Sequence, residues 1–387
     1  MFKETTLACL FDIGSLIAGF MIALELGVFQ LSPWAIALYP AVISVKAVIT
    51  GLLTGRLSTA LHLGTVYPKF FGNTKSFYKL IAAMVVLTLG TSATISAISV
   101  VFGTLFWGVA LSEFPAILTV MVATLSLGLL ITLITVQFTF ISFKRSLDPD
   151  IVVYPAVSTL ANIVITFLYI AVLNLYFSGF IGRWAIIMFG LVNVFLVLFI
   201  LPLNIRDIEF RRIIRESLPT VLLVAFMVNI TGTLLKGVSN LAGSRREIYT
   251  VYPAMIDMMG DAGLVVSSAA TMKLTLGVLS PSFGSIKNHA KNIFSAWAST
   301  LILFVVIGFL SLALNGVFSV SAITSIMVIL LVSNVIAFVS IMLFSYVVSI
   351  QTFKRGLDPD NLVVPVGSSV ADAITTAALL IVLLLLI

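Results

Sequence analysis

The sequence predicts an all-α integral membrane protein. It is read as two parallel five-helix repeats forming a pseudo-dimer and joined by a linker transmembrane helix, about 11 spans in all, with the N-terminus inside and the C-terminus outside. Three observations predict this. First, of 387 residues 60% are hydrophobic and 9% charged, with a mean hydropathy of +1.22, whereas soluble domains carry about a quarter charged residues. Second, the apolar runs are continuous and about twenty residues long, as helical spans require; barrel strands would alternate in polarity over about ten. Third, one passage occurs twice. Phe143–Thr166 and Phe353–Thr376, offset by 210, share 12 identities in 24 positions.

The spans are expected near 6–29, 33–53, 80–107, 115–142, 151–177, 184–203, 218–238, 250–270, 292–314, 319–349 and 362–387. The first is read as a retained helix because Asp12 and Glu25 interrupt it and no small-residue cleavage site follows. Eleven crossings put 16 Lys and Arg on the N-terminal side and 4 on the other, with Lys46 inside a span. The positive-inside rule then places the N-terminus in the cytoplasm. The basic loops are topology signals, and no nucleic-acid partner is needed to explain them. Asn204–Glu216, basic and amphipathic, is expected to lie along the cytoplasmic surface.

The repeat extends beyond the long motif. Tyr39-Pro40-Ala41 recurs as Tyr252-Pro253-Ala254, and Leu63-Gly64 as Leu276-Gly277, both at an offset of 213. Two five-helix units joined directly would be inverted, and the span at 184–203 restores a common orientation. The expected domains are therefore a first repeat at 1–180, a linker helix and basic segment at 181–216, and a second repeat at 217–387. Gly51, Gly55, Gly260 and Gly263 are expected to permit close helix approach. With Pro40 and Pro253 they are expected to interrupt corresponding spans, the pattern that points to a transport site.

One cysteine, Cys9, excludes an internal disulfide, and His62 and His289 are too few and too far apart for a histidine metal site. No nucleotide loop, catalytic triad or metalloprotease helix is present, so no enzyme and no cofactor are expected. Five acids fall within spans: Asp12, Glu25, Asp257, Asp261 and Asp372. Charge at membrane depth is costly and marks function by default. Asp257 and Asp261 are four apart and share a helix face. Ser368 with Asp372 and Ser158 with Asn162 repeat that spacing. Oxygen donors without His or Cys suit a hard cation such as magnesium or calcium. Pairing within the bundle, with Lys46 as partner, is the alternative for Asp257, Asp261 and Asp372. Asp12 and Glu25 are expected near the ends of their span, reaching the interface. Asp148 with Asp150 and Asp358 with Asp360 are expected to cap helix starts beside Lys144-Arg145 and Lys354-Arg355.

These motifs resemble a family. Asp358-Pro359, Pro365, Ser368-Ser369 and Asp372 resemble the DP…P…(S/T)(S/T)xxD signature of the MgtE-type divalent cation transporters. Tyr252–Gly277 is similar to their P…GxxG helix as it occurs in two-repeat archaeal relatives. Lys46 followed by Arg56-Leu57-Ser58-Thr59 is similar to the K…RLST pattern of the related solute-carrier magnesium transporters. The resemblance implies divalent cation transport, with Mg²⁺ as the expected ion, along a path between the halves. It puts a pore carboxylate at Asp372, the first-repeat counterpart at Asn162, and second-helix pore residues around Asp257, Gly260 and Asp261. Ala47-Val48 replace an expected Gly-Asn pair and Asn162 replaces an acid, so the implied site is asymmetric. No segment resembles the cytoplasmic acidic and CBS domains of MgtE proteins, and gating by them is not expected. The expected metal-site residues are thus Asp372, Asp257, Asp261, Asn162, Ser368 and Ser158. The expected partners are a divalent metal ion and the lipid bilayer of the plasma membrane, with a monomer acting as a fused pseudo-dimer. A proton- or sodium-coupled carrier of a small organic solute, or a scaffold with internally paired acids, are the competing readings.

Overall fold

The structure, a computed structural model, describes residues 2–145, 149–354 and 359–386, and every regular element among them is helical. In chain order these are α1 Phe2–Asp12, α2 Ser15–Leu24, α3 Leu26–Phe29, α4 Pro33–Ala37, α5 Tyr39–His62, α6 Lys75–Phe102, α7 Phe114–Leu127 and α8 Leu129–Lys144. They continue as α9 Pro149–Phe177, α10 Phe180–Asn204, α11 Ile208–Ala242, α12 Arg246–Thr275, α13 Ile286–Leu314, α14 Val320–Lys354 and α15 Pro359–Leu386. Among the described residues, 10 helical stretches are long and apolar enough to cross a membrane. The span expected near 250–270 is helical within α12 but is not one of them, because Asp257 and Asp261 interrupt its apolar run. The chain is a multi-pass membrane protein. Asp148 and Asp358, and the side chains of Asp150 and Asp360, lie outside the described residues.

Packing divides the chain into two compact units. The first is Glu25–Thr233 and the second is Met1–Leu24 with Leu234–Ile387. In the first unit α5 packs against α9, α8 and α6, and 83% of its apolar window is buried. The linker helix α10 is the opposite case, with 11% buried. Val192, Phe195, Phe199 and Leu203 on it are exposed, a surface suited to lipid. In the second unit α12 is central and packs against α2, α14, α15, α13 and α1.

The repeat is visible in bond geometry within each unit. Tyr39 and Thr166 share a hydroxyl hydrogen bond of 3.0 Å, and Tyr252 and Thr376 share another of 3.0 Å. Both α5 and α12 end at a glycine with φ +68°, Gly64 and Gly277, the left-handed conformation that glycine adopts without a Cβ penalty. Past it, the amides of Thr65 and Val66 donate to Ala60 O, and those of Val278 and Leu279 donate to Lys273 O.

The first helix of each repeat is exchanged. In the second unit α2 meets α12 so closely that a Cβ on Gly19 would lie 2.1 Å from Thr250 O. In the first unit a Cβ on Gly232 of α11 would lie 2.1 Å from Ala37 O. Gly19 and Gly232 are 213 residues apart, and so are Ala37 and Thr250. The compact units therefore follow packing and not the order 1–180 and 217–387, with each leading helix seated on the other repeat's second helix. Exchange of an identical element is how domain-swapped dimers form.

Two sequence expectations need correction. The helices do not break at the glycines. α5 runs through Gly51 and Gly55, and α12 runs through Pro253, Gly260 and Gly263. Only Leu38, between α4 and α5, interrupts the first of these spans. Close approach is achieved by Gly263, against Ile341, but nothing lies within 4 Å of a Cβ at Gly55 or Gly260. Asn204–Glu216 covers the end of α10 at Asn204 and the start of α11, which begins at Ile208 and continues into its span. Ion pairs tie this start down: Lys79 to Asp207 at 2.6 Å, Arg56 to Glu216 at 3.0 Å and Arg212 to Glu216 at 2.7 Å.

Candidate metal site in the second unit

Asp257 and Asp261 stand one turn apart on α12, both half-buried. Ser15 Oγ, at the start of α2, donates to Asp257 Oδ2 at 2.7 Å. Gly260, between the two acids in sequence, is buried, yet nothing among the described residues lies within 4 Å of a Cβ built on it.

A third carboxylate joins them from α1. The first span breaks directly after Asp12, where Gly14 N donates to Phe11 O at 3.0 Å before α2 begins. Asp12 is 3% exposed, not interfacial as its sequence position implied. It lies within electrostatic range of Asp261 and Asp257. Its Oδ2 is buried without a hydrogen-bond partner among the described residues. Unpartnered buried carboxylates are costly, and the C-terminal end of α1 adds a negative dipole end. All of these terms favour an added positive charge. Glu25, by contrast, is exposed.

Asp372 comes from α15. It is half-buried, and Thr376 Oγ1 donates to its carbonyl at 2.6 Å. In the first unit α5 and α9 run antiparallel, since Tyr39 meets Thr166 while Lys46 meets Asn162 and Ser158. In the second unit Tyr252 of α12 meets Thr376 of α15, one turn after Asp372. Ser368 is one turn earlier on α15 and half-buried.

The counterpart positions in the first unit carry different chemistry. Ser44, Val48 and Ala225 correspond to Asp257, Asp261 and Asp12, and Asn162 corresponds to Asp372. Lys46 stands at the position of Met259. Its Nζ donates to Asn162 Oδ1 and to Ser158 O, each at 3.0 Å. Lys46 is 4% exposed and Asn162 2%. Ser158 thus serves through its backbone carbonyl, and Asn162 through an acceptor turned to an ammonium.

Sequence reasoning missed Asp12. The usable signal was its neighbourhood, an acid followed by Gly14 and Ser15 inside an apolar run, which reads as a helix break at depth. What it could not show was which helix the break faces. Among the described residues, no three His, Cys, Asp or Glu side chains converge closely enough to hold a metal ion directly.

Two stretches of the chain, residues 39–172 and 252–382, match the family model MgtE, described as divalent cation transporter. Together they cover more than half of the chain, one match to each repeat. No curated protein and no solved structure matches. Lys46 and Asn162 fall in the first stretch and Asp257, Asp261 and Asp372 in the second, while Asp12 precedes both. The protein belongs to the MgtE family of divalent cation transporters.

Proposed function

We propose that this transporter moves Mg²⁺ and that the ion is handled in the second unit by Asp372, Asp257, Asp261 and Asp12, with Ser368 and Ser15 as supporting oxygen donors. The observation that carries this reading is the buried Asp12 oxygen, without a hydrogen-bond partner among the described residues, within electrostatic range of two further carboxylates. Four acids at membrane depth are tolerated where a doubly charged ion neutralises them. Contact through water is the expected mode, because Mg²⁺ gives up its water shell reluctantly.

The test is Mg²⁺ uptake by purified protein in liposomes with an entrapped indicator. Asp372→Asn is expected to lower the rate at least about tenfold, a loss of about 1.4 kcal/mol of ion stabilisation, and Asp12→Asn to lower it by a comparable factor. Full uptake by folded Asp372→Asn protein would refute the site. Competition by Mn²⁺, Co²⁺ and Ca²⁺ ranks the ions. Uptake that requires a proton or sodium gradient would point to a coupled carrier instead.

A further inference from the structure

We infer that the start of α11 carries a binding site for the headgroup of an anionic phospholipid, held by Arg211 and Arg215 at the head of an apolar stripe on the same helix face. The site lies in the first unit and is independent of the ion path.

Charge in this segment is sorted by helix face. Asn204–Glu216 holds four arginines and three acids. All three acids are engaged. Asp207 pairs with Lys79 at 2.6 Å, and Glu209 meets Lys79 at 3.6 Å and Ser76 at 3.1 Å. Glu216 pairs with Arg56 at 3.0 Å and with Arg212 at 2.7 Å. Glu209, Arg212 and Glu216, spaced by three and four residues, thus form one stripe of α11 that Lys79 and Arg56 neutralise. Arg206, Arg211 and Arg215 are exposed and join no ion pair among the described residues.

The unpaired arginines lead a second stripe. Ile213, Ser217, Val221 and Val224 are buried and mark the inner face of α11. Arg211, Arg215, Leu218, Leu222 and Phe226 follow at intervals of four, three, four and four, so they share one outward face. Leu218, Leu222 and Phe226 are exposed. The apolar run of α10 ends at Leu203 and that of α11 opens at Leu218, so the arginines between them stand at the level of the lipid headgroups. A phospholipid has the matching profile, with phosphate at that level and acyl chain along the apolar residues. Two guanidinium forks one turn apart suit phosphate oxygens. A zwitterionic headgroup brings its own ammonium to the arginines, so a net anionic lipid is preferred. A soluble phosphate would use the arginines and gain nothing from the stripe. The helix dipole is not the source of attraction, because Asp207 Oδ1 already accepts from the first amides, those of Glu209 and Phe210.

The experiment measures lipid binding to the full-length protein in detergent, by native mass spectrometry and by the shift of the thermal unfolding midpoint. The probes are phosphatidylglycerol, phosphatidylcholine and inorganic phosphate. Wild type is expected to hold phosphatidylglycerol at least about tenfold more tightly than phosphatidylcholine, with no midpoint shift from inorganic phosphate. Equal affinity for the two lipids overturns the proposal, and this comparison needs no variant. A shift from inorganic phosphate equal to that from phosphatidylglycerol assigns the arginines to a soluble anion and also overturns it. Arg211→Gln combined with Arg215→Gln is expected to abolish the preference. Arg212→Gln, which removes a paired arginine from the same turn, is expected to keep it. So is Lys287→Gln with Lys291→Gln, which removes the same charge from the exposed start of α13. A preference that survives loss of Arg211 and Arg215 overturns the site. A preference that falls equally in the lysine variant reduces it to overall charge, which overturns it as well.

Discussion

The two units share one plan and differ in charge. Each seats a second helix of one repeat against the leading helix of the other through a single glycine, and each fixes its second and fifth helices with one Tyr–Thr hydroxyl bond. On that shared frame the second unit carries Asp12, Asp257, Asp261 and Asp372, and the first unit carries Ala225, Ser44, Val48 and Asn162 at the equivalent positions, with Lys46 bonded to Asn162. The difference teaches how a duplicated scaffold specialises. Side chains at equivalent positions can change sign of charge as long as the contacts that set helix register are kept, because register is carried by backbone approach and hydroxyl bonds and not by the acids themselves.

The glycine contacts offer the largest break. Gly19→Ala and Gly232→Ala each push a Cβ onto a carbonyl oxygen, and neither backbone can yield cheaply. Each is expected to cost about 3 kcal/mol, the upper end of overpacking effects, read as lower midpoints of thermal unfolding in detergent. Gly90→Ala, with nothing within 4 Å, is the control and should be neutral or gain up to about 1 kcal/mol. A strong loss at Gly19 with none at Gly232 would mean that the exchange of leading helices is not reciprocal.

A smaller effect sharpens the comparison. Tyr39→Phe and Tyr252→Phe remove equivalent bonds, and each is expected to cost about 1 kcal/mol of stability. Their functional consequences should differ. Thr376, the partner of Tyr252, also bonds the carbonyl of Asp372, so Tyr252→Phe is expected to slow Mg²⁺ uptake severalfold. Tyr39→Phe should leave uptake near wild type. Equal slowing would remove the functional distinction between the units.

The smallest effect lies at the start of α11. A hydrogen bond from Lys79, aided by the backbone amides of Phe210 and Glu209, holds the Asp207 carboxyl below the ordinary aspartate range. A depressed folded-state pKa contributes stability that is present above the unfolded value and lost as pH falls through the folded one. Asp207→Asn should therefore lower the unfolding midpoint slightly at neutral pH, and the difference from wild type should vanish on acidification below about pH 4. A difference that persists in acid would assign the role of Asp207 to its hydrogen bonds alone. Because the pair is largely exposed, added salt should shrink the effect as well.

Much of this molecule was legible in its residues. Hydropathy gave the long helices, since an apolar run of sufficient length can only satisfy its backbone in lipid by coiling on itself. The recurrence of Tyr-Pro-Ala, Leu-Gly and the Phe143–Thr166 passage gave the repeat, and lone acids at depth gave Asp257, Asp261 and Asp372 as residues of interest. The misreadings share one cause. Asp12 was put at the interface and the glycines were read as breaks because each was judged from its own stretch of chain. Asp12 is buried by packing of its helix in the second unit, and α12 continues through Gly260 and Gly263 without a break.

The sequence by itself determined what lies in the membrane, how often the pattern repeats and which charges need an explanation. Those properties depend on local hydropathy and on register along one chain. Only the tertiary structure decided that the leading helices change partners, that Asp12 stands with Asp257 and Asp261, and that Lys46 faces Asn162. Such choices depend on which surfaces fit, a bare glycine against a carbonyl or an ammonium between two oxygens, and complementarity of that kind is a property of pairs of helices.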